Sequence, residues 1–295
     1  MTPFRAIWRK TGTYLVLGPF AIVLAFPFYW ALTTMFKRDL DLYNQRSIPY
    51  SYNSIDARGN AHAHWDFWNY MTFHHVTFLF EHTAYPTWLK NTAIVGAAVV
   101  AITLVFALPA GYALARLSGR WGQTMGVGIF LVYLVPPTLL FLPLSRLIAE
   151  LDLKDTLWSM ILVYPSFTIP FATWLLMGFF KTIPQELEDA ALVDGCSRLR
   201  ALRRVVFPIS LPGILTVVIF AFSLCVNEFI YAFTFTQSTG ERTLSAGVPN
   251  ELIRGDVFFW QSLMAAVLIP SIPLALLYNS FLDRFIKGFT GGAFR

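Results

Sequence analysis

Six stretches of this chain are each long and apolar enough to cross a lipid bilayer, and that recurrence limits the fold more than any single motif. They run near Thr13–Phe36, Leu89–Leu117, Gly122–Ile148, Leu157–Phe180, Pro208–Phe235 and Phe259–Leu282. Each has at least the roughly 20 residues a helix needs to span the hydrocarbon. Within lipid every backbone polar group must find its partner inside the segment, so helices are expected. None of the stretches shows the period-2 alternation of a membrane barrel. Composition agrees: 56% of the 295 residues are hydrophobic and 13% charged, against about 25% charged in a soluble domain. The expectation is an all-α, polytopic membrane helix bundle of about six transmembrane helices.

Charge placement orients the bundle. Arg5, Arg9 and Lys10 precede the first span, Arg116 and Arg120 follow the second, Lys181, Arg198, Arg200, Arg203 and Arg204 lie between the fourth and fifth, and Arg284, Lys287 and Arg295 follow the sixth. All fall on one face if both termini are cytosolic. The opposite face carries fewer: Lys37, Arg38, Arg46, Arg58, Lys154, Arg242 and Arg254. The net charge of +5 is thus a topology signal, and no nucleic-acid partner is expected. The first apolar run is longer than a cleavable signal's core of about 7–15 residues and ends in Lys37-Arg38, so it reads as an uncleaved span. Cys196 and Cys225 sit in unrelated contexts and imply no disulfide framework.

The expected organisation follows. Residues 1–36 form a tail and first span, 37–87 an extracytoplasmic loop, 88–282 the core, and 283–295 a cytosolic tail. Prolines inside the spans, among them Pro27, Pro109, Pro136, Pro137, Pro165, Pro170, Pro270 and Pro273, each remove a backbone donor and favour a kink. Kinked bundles suit opening and closing around a cavity, although proline is frequent in any membrane bundle. The outer loop holds all five histidines, His62, His64, His74, His75 and His82, among many aromatic residues. Two readings fit it. Aromatic enrichment suits a docking surface. His62-x-His64 on a strand would put two imidazoles on one face, as a metal site needs, but the set lacks a defined ligand spacing, and no metal is assigned.

The segment Thr182 to Pro212 is polar and charged between two apolar runs, so it looks outward to the cytosol. Thr182 with Gln185 has capping-box spacing, Pro184 suits a first helical turn, and Glu186, Glu188 and Asp189 favour the positive end of a helix. Ala190 and Ala191 permit close approach by another surface. Gly195 suits a left-handed helix stop, and Ser197 suits the cap of a second, basic helix able to sit on anionic lipid headgroups. A helix–turn–helix is expected, either docking a soluble partner or lying at the interface as an amphipathic hairpin.

This segment resembles the EAA motif of ABC-importer permeases: Asp189-Ala190-Ala191, Gly195, then Val205-x-Phe207-Pro208, with Asp for Glu, Val for Ile and Phe for Leu. Gly111-Tyr112-Ala113-Leu114-Ala115-Arg116, Asn91-Thr92, Trp174 through Pro184, Asn227-Glu228-Phe229 with Arg242-Thr243-Leu244, and Gly288 through Ala293 are similar to the carbohydrate, maltose-type (MalG-like) branch. The resemblance covers about Trp88 to the C-terminus. It implies the type I importer permease fold, with 182–208 as the coupling segment. It also implies a bacterial inner-membrane complex with a second, different permease subunit, two ATPase subunits, an extracytoplasmic sugar-binding protein and a carbohydrate substrate. The chain has no G-x-x-x-x-G-K-[ST] loop, so ATP and Mg are expected on the ATPase chains, no cofactor is expected in this one, and it is read as a transport subunit rather than an enzyme.

The resemblance assigns ATPase coupling to Glu186, Glu188, Asp189, Ala190, Ala191, Asp194 and Gly195. For the translocation path the candidates are Asn227, Glu228, Tyr231 and Tyr133, since an intramembrane carboxylate usually faces a cavity or a partner; a structural bond by Glu228 is the competing reading. Two other functions compete: a membrane metalloenzyme using the outer-loop histidines, and a secondary transporter using Glu228 for ion coupling.

Overall fold

The computed structural model describes residues 3–39, 42, 52–55, 58, 61–64 and 71–293. Helix α1 spans Pro3–Met35, the hairpin β1 (Tyr52–Ile55) and β2 (Ala61–His64) follows, and α2 covers His74–His82. The long α3, Tyr85–Tyr112, runs into a π-helical turn at Ala113–Leu117. Helices α4 (Gly119–Tyr133), α5 (Pro137–Glu150), α6 (Leu157–Val163) and α7 (Pro165–Thr182) lead to the short α8, Gln185–Val193. Helix α9 (Arg198–Ala201) continues through a second π-helical turn, Leu202–Val206, into α10 (Phe207–Ile209). Then come α11 (Leu211–Asn227), α12 (Ile230–Phe235), α13 (Leu244–Leu252), the two-residue strands β3 (Ile253–Arg254) and β4 (Val257–Phe258), and α14 (Trp260–Ala293).

Among the described residues four helical stretches are long and apolar enough to cross a membrane unaided: Leu17–Met35, Tyr85–Leu117, Leu157–Thr182 and Trp260–Ser280. The other two expected spans are present as broken helices. Instead of one helix through Gly122–Ile148, α4 and α5 meet at 81°. Pro136 sits at that corner with extended backbone and Pro137 opens α5, because a residue before proline is pushed out of the helical region. Likewise Arg198–Ile209 and α11 meet at 75°, next to Pro208 and Pro212. The expected fifth span, Pro208–Phe235, is also cut again at Glu228, where the backbone is extended (ψ 121°). Counting each bent pair as one span gives six.

The chain divides into two compact units. The larger comprises 84–247 and 273–295, and here α3 packs along α7 and α11. Its core has two apolar layers stacked along α3. One joins Val95 and Val99 to Met160, Tyr164, Phe167, Tyr231 and Phe235. The other joins Ala107 and Tyr112 to Leu176, Phe180, Ile183, Leu202 and Val206. Between them the buried hydroxyls of Thr103 and Thr168 lie 2.5 Å apart, a polar link of the kind that holds helices together in lipid. Gly111 lets α3 approach α7 closely: a Cβ there would stand 3.0 Å from Leu176 Cβ and 3.1 Å from the Met177 backbone nitrogen.

At the other end of this unit, the turn 236–243 is clamped by side chains of α3 and by Asp155. Trp88 Nε1 donates to Thr239 O at 2.9 Å, and Asn91 Nδ2 donates to Gly240 O at 2.7 Å and Arg242 O at 2.9 Å. The Leu244 N–H donates to Thr92 Oγ1 at 2.9 Å. Asp155 accepts from the N–H groups of Gln237 and Ser238 at 2.7 and 2.8 Å, and from the Ser238 hydroxyl. So Asn91-Thr92 serves to hold a loop about 150 residues away in sequence (sequence separations 149 to 152).

The smaller unit comprises 1–83 and 248–272. Only 6% of the span in α1 is buried, so nearly its whole apolar surface is left for lipid or another subunit. The stretch after α1 is well fastened. His75 Nε2 donates to Lys37 O at 3.1 Å, the Thr72 N–H donates to Phe36 O at 3.0 Å, and Gln261 Nε2 donates to Asp39 Oδ1 at 3.0 Å. Phe78 stacks with Phe259, centroids 6.5 Å apart. The backbone at Ala61–His64 is a strand, paired antiparallel with Tyr52–Ile55, while the His62 and His64 side chains lie outside the described residues. His74 and His82 are exposed and His75 is buried. Among the described residues no three His, Cys, Asp or Glu side chains are grouped to hold a metal. The basic side chains at the two termini also lie outside the described ones.

Candidate functional site

The segment after α7 folds as a short helix, a turn and a second helix, as expected, but the first helix is started differently. Thr182 does not cap it. Thr182 still belongs to α7, where its hydroxyl donates to Phe179 O at 2.7 Å. Ile183 and Pro184 are extended (ψ 126° and 131°), and Pro184 is the residue at the N-terminal boundary of α8. The stop is as expected. Gly195 has φ +82°, its N–H donates to Leu192 O and the Cys196 N–H to Ala191 O, both at 3.0 Å. This is the paired bonding of a Schellman motif. Ser197 takes the extended backbone of a cap, but its hydroxyl makes no capping bond.

The seven expected coupling residues divide into two faces. Glu186, Asp189, Ala190, Asp194 and Gly195 are exposed. With the neighbouring Leu187 and Val193, the latter 87% exposed, they form an outward surface of acidic, small and apolar residues. Glu188 and Ala191 are three residues apart, share the opposite face, and are buried. The side chains of these two face their own chain rather than the outward surface. A bulky residue at Ala191 would therefore unseat α8 rather than block a docking contact.

Glu188 is held from the end of α3. The Tyr112 hydroxyl donates to Glu188 Oε1, and Arg116 Nε lies 3.6 Å from Oε2. The same guanidinium donates through Nη2 to Ile183 O at 2.6 Å. Both charged side chains are about nine-tenths buried, at 10% and 9% relative exposure. Tyr112 and Arg116 stand four residues apart, one on the last turn of α3 and one on the π-helical turn after it, and so face the same way. In the sequence both lie inside a motif, and Arg116 counts among the orienting charges; their i, i+4 spacing marks a shared face but not what that face meets.

The path candidates are not one cluster. Asn227 is exposed at the end of α11, with Nδ2 donating to Ser223 O at 2.8 Å. Glu228 occupies the break. Its carboxylate accepts from the Tyr164 hydroxyl at 2.8 Å and from the N–H groups of Tyr231 and Ala232 at 3.0 and 3.1 Å, which caps α12. Tyr231 is a core residue whose hydroxyl donates to Pro137 O at 2.7 Å. Tyr133 is half-buried beside Phe171 and Phe220, with centroids 5.0 and 6.1 Å away. Phe171 and Phe220 approach each other to 4.2 Å, and Phe130 stacks on Trp174 at 4.4 Å.

Comparison with known proteins fits this architecture. A family model described as the binding-protein-dependent transport system inner membrane component matches residues 107–291. The chain is 34% identical over 208 residues to the sulfoquinovosyl glycerol transport system permease protein SmoH of Agrobacterium fabrum, covering 70% of this chain and 72% of that one. It is 28% identical over 292 residues to the diacetylchitobiose uptake system permease protein DasC of Streptomyces coelicolor, covering 98% and 97%. Among solved structures it superposes with TM-score 0.73 and 17% identity on a chain of a bacterial ABC transporter involved in the import of the acidic polysaccharide alginate, covering 97% of this chain and 99% of that one. With a family match over more than half its length and a multi-pass helical fold, this chain belongs to the inner membrane components of binding-protein-dependent transport systems.

Proposed function

We propose that this chain is one of two different permease subunits in an ATP-driven importer of carbohydrate in the bacterial inner membrane. The observation that carries the reading is α8. It is a short helix with extended residues before it and a left-handed glycine after it. It offers an acidic, small-residue face to the outside while its other face is fastened to the bundle. Such a helix can be gripped by a soluble two-state partner and moved as a body. Two ATPase subunits would supply that motion and bind the ATP and Mg. An extracytoplasmic sugar-binding protein would deliver the substrate. The sugar class rests on the transport systems named for its relatives. The orientation rests on the basic residues around the polar segment, which favour α8 and both termini on the cytosolic side.

In this reading Asn227 and Tyr133 contribute surface to the translocation path, and Glu228 and Tyr231 hold its wall. The test is made in the assembled complex. Asp189→Lys and Ala190→Arg change only exposed residues of α8. Each is expected to cut ATP hydrolysis stimulated by the binding protein at least tenfold while membrane insertion and melting temperature stay unchanged. Full stimulation in both variants would refute the docking role.

A further inference from the structure

We propose that Tyr112 and Arg116 are positioning residues for energy coupling: through Glu188 they latch α8 to the end of α3, so that force on α8 reaches that helix instead of being lost at the hinges. The inference rests on α8 being the docked helix. Four observations carry it. First, α8 is hinged at both ends, by extended Ile183 and Pro184 before it and by Gly195 at φ +82° after it. A rigid nine-residue helix between two hinges transmits nothing unless its middle is anchored.

Second, the middle is anchored by a buried charge. Glu188 meets the Tyr112 hydroxyl and the Arg116 guanidinium, and Arg116 also holds Ile183 O at the first hinge. One side chain thus grips both the lever and its pivot. Third, a buried ion pair is a poor way to gain stability, since apolar side chains of like volume commonly serve as well or better. Here the pair is not even closed: Arg116 Nε and Glu188 Oε2 are both buried without a hydrogen-bond partner while standing 3.6 Å apart. Fourth, the receiving end is irregular. Arg116 lies on the π-helical turn Ala113–Leu117, and the π-helical turn Leu202–Val206 also packs against α8. Single π turns inside α-helices are frequent at functional positions.

The test uses the full complex with one spin label on each side of the latch. Gln185→Cys at the start of α8 and Leu117→Cys after α3 are both exposed, and the native thiols are removed by Cys196→Ser and Cys225→Ala. The distance distribution between the labels is measured without nucleotide and after trapping with ATP and vanadate. With the latch intact it is expected to be narrow in both states with an unchanged mean, because the two elements move together. Glu188→Gln is expected to at least double the width without nucleotide and to let the mean shift on trapping, with Tyr112→Phe doing the same to a smaller extent.

Adding Arg116→Met to Glu188→Gln is expected to broaden the distribution no further. That double variant should also melt within a few degrees of the parent. A merely structural pair would do the reverse, lowering the melting temperature and leaving the distances alone. Distributions for Glu188→Gln and Tyr112→Phe that overlay the parent overturn the latch. A parent complex that hydrolyses no ATP overturns the docking reading instead, while the nucleotide-free distances still decide whether the latch exists.

Discussion

The Tyr164 hydroxyl donates to a Glu228 carboxylate oxygen at 2.8 Å, tying the junction of α6 and α7 to the break between α11 and α12. The same carboxylate caps α12 through two backbone N–H groups. One acidic side chain therefore fixes where the fifth span stops being a helix and which neighbour it rests on.

Removing that carboxylate should be costly. Glu228→Ala deletes a helix cap worth about 1 kcal/mol and leaves the buried Tyr164 hydroxyl unpaired, a further loss of about 1–3 kcal/mol. Glu228→Gln keeps an acceptor oxygen and should lose less than half as much. Thermal unfolding of the purified subunit or complex in detergent separates them, and equal melting temperatures for the two variants would contradict the capping role.

The two faces of α8 should respond oppositely to mutation. Arg116→Ala leaves Glu188 buried without its cation, which costs on the order of 3–5 kcal/mol. Asp189→Ala touches only an exposed residue and should change stability by no more than about 0.5 kcal/mol. Denaturant or thermal melts of both variants check this. A large loss from Asp189→Ala would mean that the inward and outward faces have been assigned the wrong way round.

Asp155 gives the clamp on 236–243 a defined acid limit. Its hydrogen bond from the Ser238 hydroxyl, aided by the Ser238 and Gln237 N–H groups, holds its pKa below the usual carboxylate value. A depressed folded pKa means that the contribution is complete above the unfolded value of about 3.9 and is lost as pH falls through the lower, folded one. Asp155→Asn should thus melt below the parent at pH 8, 6 and 4.5 alike. The gap should begin to close only once the pH falls below the unfolded value of about 3.9. A gap that closes between pH 6 and 4.5 would rule out this account.

His75 responds at a milder pH. Burial pushes its pKa down, outweighing the Asp39 charge and the Lys37 carbonyl that pull it up. The neutral ring donates from Nε2 to Lys37 O. Because the folded pKa lies below the unfolded value, its contribution is whole above about pH 6.5 and fades as pH falls toward the folded pKa. Between pH 7.5 and 5.5 the parent should lose melting temperature relative to His75→Gln, which keeps a donor and does not titrate. Parallel curves for the two would show that His75 is not the titrating group.

Much of this was readable from residue order, for local reasons. Apolar runs of about 20 residues announce membrane helices whatever they pack against, and Gly195 announces a left-handed stop because other residues resist that conformation. What stayed hidden depended on distant partners. Thr182 has capping-box spacing, yet its hydroxyl stays in α7 because Ile183 and Pro184 are extended and delay the next helix. The run from Pro208 to Phe235 looks continuous, and only the folded chain brings Tyr164 to Glu228 and N–H groups to its carboxylate. The roles of Tyr112 and Arg116 arise from contacts 76 and 67 residues away along the chain, which no local pattern encodes. Residue order alone does not separate the two faces of α8, because burial at Glu188 depends on that same distant cation.

The interruption at Glu228 has a bearing on how this subunit sits in lipid. Helix α11 has 17 residues, about 25 Å at 1.5 Å per residue, short of a hydrocarbon layer of about 30 Å. If α11 starts at one edge of that layer, the extended backbone at Glu228 falls where hydrocarbon tails offer nothing to bond with, and bare peptide groups are tolerated there only under the shelter of protein or beside trapped water. The carboxylate acts as a built-in stand-in for solvent, supplying oxygens to the first amides of α12. In the proposed importer, the flank that carries Asn227 and Glu228 would therefore be turned toward the interior of the assembly, with the fatty acyl chains against other sides of the subunit.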